Sequence, residues 1–356
     1  MPVINLLTKV EEFRKGDYPW AVEMWDAHER AHWFFDEVPI TDDIVDFWNA
    51  SEEEKAFIEM ILRLFTQNDV EVGRGYDTLL RIFHAQEVQN MLRSFSAREV
   101  THIKAYSYFT DELGYSDNFY KEFREIPEMN CKVEYLAKSK VKKYEDYEAE
   151  YNSTFNYVPS TESLNYYIDR RYKQDIMRML AVYATATEGI SLFAQFAMLL
   201  KYQTMNKYKG LGNIVEWSIR DEEMHVQGNS RIFREFVKEF PNYLTDEVKK
   251  DIYGAVRQIV QYECELIDFL NPPHMDNETV KNYIKYIADQ RLKLIGFKPN
   301  YMIEENPLPF MEELNNALSL TNFFEGRVTE YTKNSMKGDF DKLRGNEEFR
   351  KQYTKK

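Results

Sequence analysis

Two short phrases constrain this chain more than any other feature: Glu99-Val-Thr-His102 and Glu222-Glu-Met-His225. In each, a carboxylate and an imidazole stand three residues apart, which puts both on one face of a helix. A further carboxylate precedes each phrase at a similar interval. Asp69 lies 30 residues before Glu99, and Glu188 lies 34 before Glu222. Two antiparallel helices joined by a short loop bring such residues back to one level, since each limb is about 15 residues and roughly 22 Å long. Each half of the chain thus offers one carboxylate and one Glu-x-x-His pair to a shared interior, with approximate two-fold logic. Helix bundles that hold a pair of metal ions are built from this set. Four carboxylates and two imidazoles, with no thiolate among them, suit two iron or manganese ions.

The rest of the chain supports a helical reading. Glycine (13) and proline (11) are scarce for 356 residues, and long windows carry apolar residues at three-to-four spacing, which predicts an all-α fold. Ser51-Glu-Glu-Glu54 is a capping-box start for a helix through Phe57, Ile61, Leu64 and Phe65 toward Asp69. A second helix is expected from about His84 to Leu113, stopped by Gly114. Residues 115–160 read as a polar connector with short helices. A third long helix is expected from roughly Asn165 to Asn206, with Gly210 and Gly212 marking its turn. A fourth covers roughly Asn213 to Phe240, followed by helices over Thr245–Leu270 and Glu278–Leu294. Periodicity fades past Asn306-Pro-Leu-Pro309. Residues 1–332 are expected to form one helical domain, and 333–356 a mobile tail with eight Lys/Arg against four Asp/Glu.

Net charge is −14 with a pI near 5.1, which argues against a nucleic-acid-binding role. Cys131 and Cys264 stand far apart with no CxxC pattern, so neither a disulfide framework nor a zinc site is indicated. No secretory signal is apparent, and the longest apolar stretch, Ile190 to Leu200, is too short to span a bilayer. The expectation is a cytoplasmic protein with no membrane association.

A single Glu-x-x-His is cheap in a Glu-rich chain; a third copy, Glu29-Arg-Ala-His32, has no carboxylate at a matching separation and reads as structural. The other two keep different company. Phe95, Ile103 and Tyr106 flank Glu99 on its stripe, and Ser218 and Met224 stand near Glu222. Glu188 sits within Ala184-Thr-Ala-Thr-Glu-Gly-Ile-Ser-Leu-Phe, where a carboxylate has no surface role. A buried carboxylate without a partner is costly, so it needs a proton, a cation or a metal. One cause, metal, accounts for all six positions. Tyr106, one turn beyond His102, is placed where a metal–oxygen species would oxidise a phenol, although core packing is always open to tyrosine.

Taken together, Asp69 in Asn-Asp-Val-Glu-Val-Gly, Glu99-x-x-His102-x-x-x-Tyr106, Glu188 and Arg220-Asp-Glu222-x-x-His225 resemble the small, radical-generating subunit of class I ribonucleotide reductase. The likeness runs over roughly residues 18–331, in order and at the right intervals. It implies a ferritin-like helical bundle in which Asp69, Glu99 and His102 hold one metal and Glu188, Glu222 and His225 the other. Oxygen or a derivative would be activated there, and an oxidising equivalent stored on Tyr106 or on the metals. It also implies an electron and proton path to a large catalytic subunit, through Trp33, Asp221 (linking Trp33 to His102) and an interface tyrosine. Tyr331 is the preferred interface tyrosine over Tyr353, from its distance to Asn306-Pro-Leu-Pro309. A homodimer is implied as well. Two departures stand out. Ser218 is polar where an aliphatic residue is common, and a hydroxyl there can hydrogen-bond the site or admit water. The basic tail does not match the acidic docking tails of the family. The competing expectations are a di-metal ligand-binding oxidase or oxygenase of the same fold, which would have no use for Trp33 or Asp221, and a ferritin-like metal store.

Overall fold

The structure, a computed structural model, describes residues 5–9, 12, 16–137, 141–154 and 160–312. Tyr331, Tyr353, the expected boundary at 332/333 and the basic tail lie outside the described residues. The chain divides into a body, Met1–Pro309, and a C-terminal unit beginning at Phe310.

Among the described residues every regular element is helical, with no strand. A short α1 (Pro19–Arg30) and α2 (Thr41–Asn49) lead into the long pair α3 (Glu52–Ile82) and α4 (Gln86–Glu112). The connector supplies α5 (Asn118–Lys121), α6 (Pro127–Ala137) and α7 (Tyr144–Thr154). The second half holds α8 (Thr161–Val182), α9 (Phe193–Thr204) and the long α10 (Lys209–Glu239), then α11 (Asp246–Leu270) and α12 (Asn277–Leu294). No helix among the described residues is long and apolar enough to cross a membrane.

Local chemistry explains the boundaries. Ser51 Oγ accepts the Glu54 backbone N–H at 3.2 Å, and three glutamates occupy the first turn of α3, where the helix dipole favours negative charge. Thr245 and Asp276 cap α11 and α12 in the same manner. Gly114 adopts φ +82° just past α4, the left-handed position that an L side chain resists. The turn before α10 differs from the expectation. Its left-handed residues are Asn206 (φ 63°) and Tyr208 (φ 50°), while Gly210 and Gly212 lie inside the first turn of α10. Gly210 is there for closeness: a Cβ would stand 2.5 Å from the Pro39 carbonyl oxygen.

The second difference is larger. One continuous helix over 165–206 is expected from the pattern, yet α8 passes into a π-helical turn at Tyr183–Thr187 and regular winding stops until Phe193. Glu188 sits at this break. Breaking a helix in a dry interior frees carbonyls that need donors. Two buried cations supply them: Arg291 Nε donates to Gly189 O at 3.0 Å, and Lys132 Nζ to Ser191 O at 2.6 Å. Each cation is balanced, Arg291 by Glu223 and Lys132 by the fully buried Glu263 at 2.8 Å. The helices α3, α4, α8 and α10, with this break, enclose the core in which the six predicted residues meet, and α1 lies against α4 and α10.

Candidate metal centre

Asp69 projects from α3, Glu99 and His102 from α4, Glu188 from the break after the π turn, and Glu222 and His225 from α10. All six are buried, none more than 3 % exposed. Potential ligand atoms form two overlapping groups, Asp69/Glu99/His102 and Glu99/Glu188/Glu222/His225, each with its atoms within 4.8 Å of one another. Sequence spacing divides the six three and three; in space Glu99 belongs to both groups.

The two imidazoles face each other across two carboxylates. His102 Nδ1 lies 3.2 Å from Glu222 Oε1 and 3.6 Å from Glu99 Oε2. His225 Nδ1 lies 3.0 Å from Glu99 Oε1, 3.3 Å from Glu222 Oε2 and 3.7 Å from Glu188 Oε2. Glu99 and Glu222 therefore each present one oxygen to either side, as bridging ligands do. Both oxygens of Asp69, Glu99 and Glu188, one of Glu222, and Nδ1 of each histidine have no hydrogen-bond partner although buried. Leaving one such group unmade costs about 1–3 kcal/mol, more if charged, so an interior that collects them is arranged for cations. Four carboxylates with two neutral imidazoles would be neutralised by two divalent ions. This donor set fits iron or manganese.

Electrostatics agree. Burial, then the charge of Glu99, pushes the Asp69 carboxyl well above the carboxylate range. Burial and Glu222 bring Glu188 up to about 7. Burial works against a charged imidazole, yet the carboxylates of Asp221, Glu222 and Glu99 around His102, and of Glu188, Glu222 and Glu99 around His225, hold both rings well above their usual value. The cluster draws positive charge from whatever source is present.

Outward from the ligands, each imidazole has a partner on Nε2. His102 Nε2 donates to Asp221 Oδ2 at 3.2 Å. The same oxygen accepts Trp33 Nε1–H at 2.7 Å and Arg98 Nη1–H at 2.8 Å. Burial alone would raise Asp221; the His102 hydrogen bond and the charges of His102 and Arg98 hold it well below the carboxylate range. Trp33 is buried and stacks on His102 with centroids 5.9 Å apart. The chain just before it is tied down: Ala31 O, at the end of α1, accepts from Arg98 and Arg220, and His28 O from Arg98. Trp33 and His102 thus meet on one oxygen of Asp221.

Tyr106 is buried against Phe65, centroids 4.8 Å apart, and Phe65 packs on Phe196 at 5.0 Å. Its hydroxyl donates to Ser218 Oγ at 2.8 Å, and Ser218 in turn donates to Ile214 O at 3.0 Å. Burial holds the phenol well above its ordinary pKa. Leu192 is buried at the start of α9, whereas Ile103 and Met224 are only half-buried at the edge of the interior. His32 of the third Glu-x-x-His is exposed and takes no place at the cluster. Sequence reasoning passed over two residues beside it: Arg98, visible only as the base preceding Glu99, and His28, a lone histidine on the buried stripe of α1 with Ala21.

Comparison with known proteins adds what geometry alone does not name. The family described as ribonucleotide reductase, small chain, matches residues 11–307. The chain belongs to that family. Among ribonucleotide reductase small chains, the protein named Probable ribonucleoside-diphosphate reductase small subunit in Invertebrate iridescent virus 3 is 37% identical over 347 residues, 95% of this chain and 89% of its own length. The ribonucleoside-diphosphate reductase subunit beta of Chlamydia pneumoniae is 27% identical over 325 residues, 88% of either chain. In fold, the ribonucleotide reductase R2 subunit from Clostridium botulinum superposes with a TM-score of 0.70 at 20% identity, over 86% of this chain and 90% of that one.

Proposed function

We propose that this chain is the oxidant-generating small subunit of a cytoplasmic ribonucleoside-diphosphate reductase, holding two ions of iron, manganese or both. The single observation that carries the reading is the convergence of buried, partnerless carboxylate and imidazole atoms from four parts of the chain on one dry interior. Asp69, Glu99 and His102 would hold one ion, and Glu188, Glu222 and His225 the other, with Glu99 and Glu222 between them. When bound, such a pair supplies redox chemistry with oxygen or its derivatives, which no side chain provides.

The protein's own residues hold geometry, exclude water and carry charge. Tyr106 is a phenol kept protonated by burial, its proton directed at Ser218 Oγ. Trp33, Asp221 and His102 offer a continuous hydrogen-bonded route from the cluster toward α1, with Arg98 fixing the aspartate. That route has no purpose in a ligand-oxidising enzyme or a metal store. Ribonucleotide reduction itself would fall to a separate large chain, because Cys131 and Cys264 form no cysteine pair. Tyr331 would serve at that interface, and the small subunit would act as a homodimer, with residues 1–332 as the helical domain and 333–356 as its tail.

Electron paramagnetic resonance on metal-quantified, oxygen-activated protein tests this. A doublet near the free-electron position places the oxidising equivalent on a tyrosine; a multiline signal places it on coupled manganese. Deoxynucleotide formation should require the large chain. Glu222→Ala should abolish loading of one ion, and a variant that still holds two per chain would count against the assignment.

A further inference from the structure

We propose that His28 is a positioning residue for the second imidazole. It fixes His225 with Nδ1 turned to the carboxylates, through a one-way chain of hydrogen bonds that ends at Glu29 on the surface. The inference rests on the metal reading above, and it assigns a role that neither the Glu-x-x-His pattern nor the Trp33 route contains.

The polarity follows from counting protons. His225 Nδ1 faces Glu99, Glu222 and Glu188, and a nitrogen that is to hold a cation must keep its lone pair. The ring proton is then on Nε2. That atom lies 3.2 Å from His28 Nε2. Two N–H groups cannot face each other, so His28 Nε2 accepts and its own proton is on Nδ1. His28 Nδ1–H is 2.7 Å from Ser94 Oγ, which accepts it, and the Ser94 hydroxyl donates in turn to Glu29 Oε1. Glu29 is exposed, and a terminal carboxylate accepts, so each donor along the chain meets one acceptor.

His28 is built to stay in place. It is fully buried, its ring stands edge-on to Phe95 with centroids 4.9 Å apart, and its backbone carbonyl is held by Arg98 at 3.2 Å. Phe95 also packs on His225, centroids 4.6 Å apart, so the two imidazoles share one wall. The consequence is an asymmetry between the metal positions. His102 leans on a carboxylate, Asp221, whereas His225 leans on a neutral ring. A partner on the far nitrogen of a metal-bound histidine sets its orientation and basicity, and losing one typically weakens metal affinity about 10–100-fold.

The test is titration of metal-free, full-length protein with Mn(II), following the free ion by its six-line resonance. The unaltered protein should bind two ions. His28→Phe keeps a ring but removes the acceptor. It should weaken one ion by roughly 10–100-fold and leave the other within about threefold, as expected for loss of one such partner. His28→Gln, whose amide oxygen replaces Nε2 as acceptor, should restore affinity to within about threefold by the same measure. Should His28→Phe fail to fold, Ser94→Ala frees His28 to turn its proton toward His225, and the same ion should weaken. Wild-type affinity for both ions in the variant that folds overturns the proposal, as does equal weakening of both ions in the Phe and Gln variants. If the unaltered protein binds two ions and the variants are indifferent, only the role of His28 fails. If it binds none, the metal reading fails with it.

Discussion

The hydroxyl of Tyr106 donates to Ser218 Oγ at 2.8 Å, across from α4 to α10, and neither group reaches solvent. Ser218→Ala removes the acceptor and leaves a buried phenol O–H unpaired. The expected loss is about 1–3 kcal/mol, the cost of a buried donor without a partner. Denaturant unfolding of the metal-free protein measures it; an unchanged midpoint would mean that the phenol finds another acceptor.

Asp221 gathers three donors on one oxygen, from Trp33, Arg98 and His102, and pairs with Arg98 where both are buried. Asp221→Asn preserves size but leaves the guanidinium without its counter-charge. Breaking a buried pair from one side costs about 3–5 kcal/mol. A loss under about 1 kcal/mol, the scale of an exposed pair, would show that Arg98 is neutralised elsewhere.

Lys132 and Glu263 make the second buried pair, and they brace the break that carries Glu188. Burial raises the Glu263 carboxyl even beside Lys132, and Gln195 Nε2 donates to it at 3.0 Å. Lys132→Met should destabilise by about 3–5 kcal/mol. Lys132→Met with Glu263→Gln should recover most of that. A deficit of about 1 kcal/mol should remain for the Ser191 carbonyl, which loses its donor. A double variant as unstable as the single one would contradict this.

Two glycines one turn-half apart on α3 make a matched pair. A Cβ on Gly75 would clash with Cε2 of Tyr183, whose ring is anchored by its hydroxyl donating to Val72 O at 2.8 Å. A Cβ on Gly73 meets nothing within 4 Å. Gly75→Ala should cost about 1–3 kcal/mol from overpacking, and Gly73→Ala should gain up to about 1 kcal/mol from helix propensity. Equal melting temperatures for the two variants would overturn the assignment.

The helices were readable where side chains announce their ends. Ser51 and Thr245 are capping residues by chemistry, and Gly114 stops α4 because the next conformation is left-handed, whereas the cap at Asp276 lies two residues before the expected start at Glu278. The six candidate ligands were readable because a helical face and an antiparallel return convert sequence intervals into proximity. The break at Glu188 was not, since its own residues are ordinary and small; what satisfies its carbonyls comes from Lys132 and Arg291, far away in sequence. The same distance hides His28, whose partners Ser94 and His225 come from two other helices. Two-fold spacing likewise does not reveal that Glu99 and Glu222 each face both imidazoles.

Anomalous diffraction from crystals of manganese-loaded protein addresses the central claim most directly. Two peaks inside the bundle are predicted, one beside Asp69 and His102, the other beside Glu188 and His225, with Glu99 in contact with both. A single peak, or peaks away from these side chains, would contradict it.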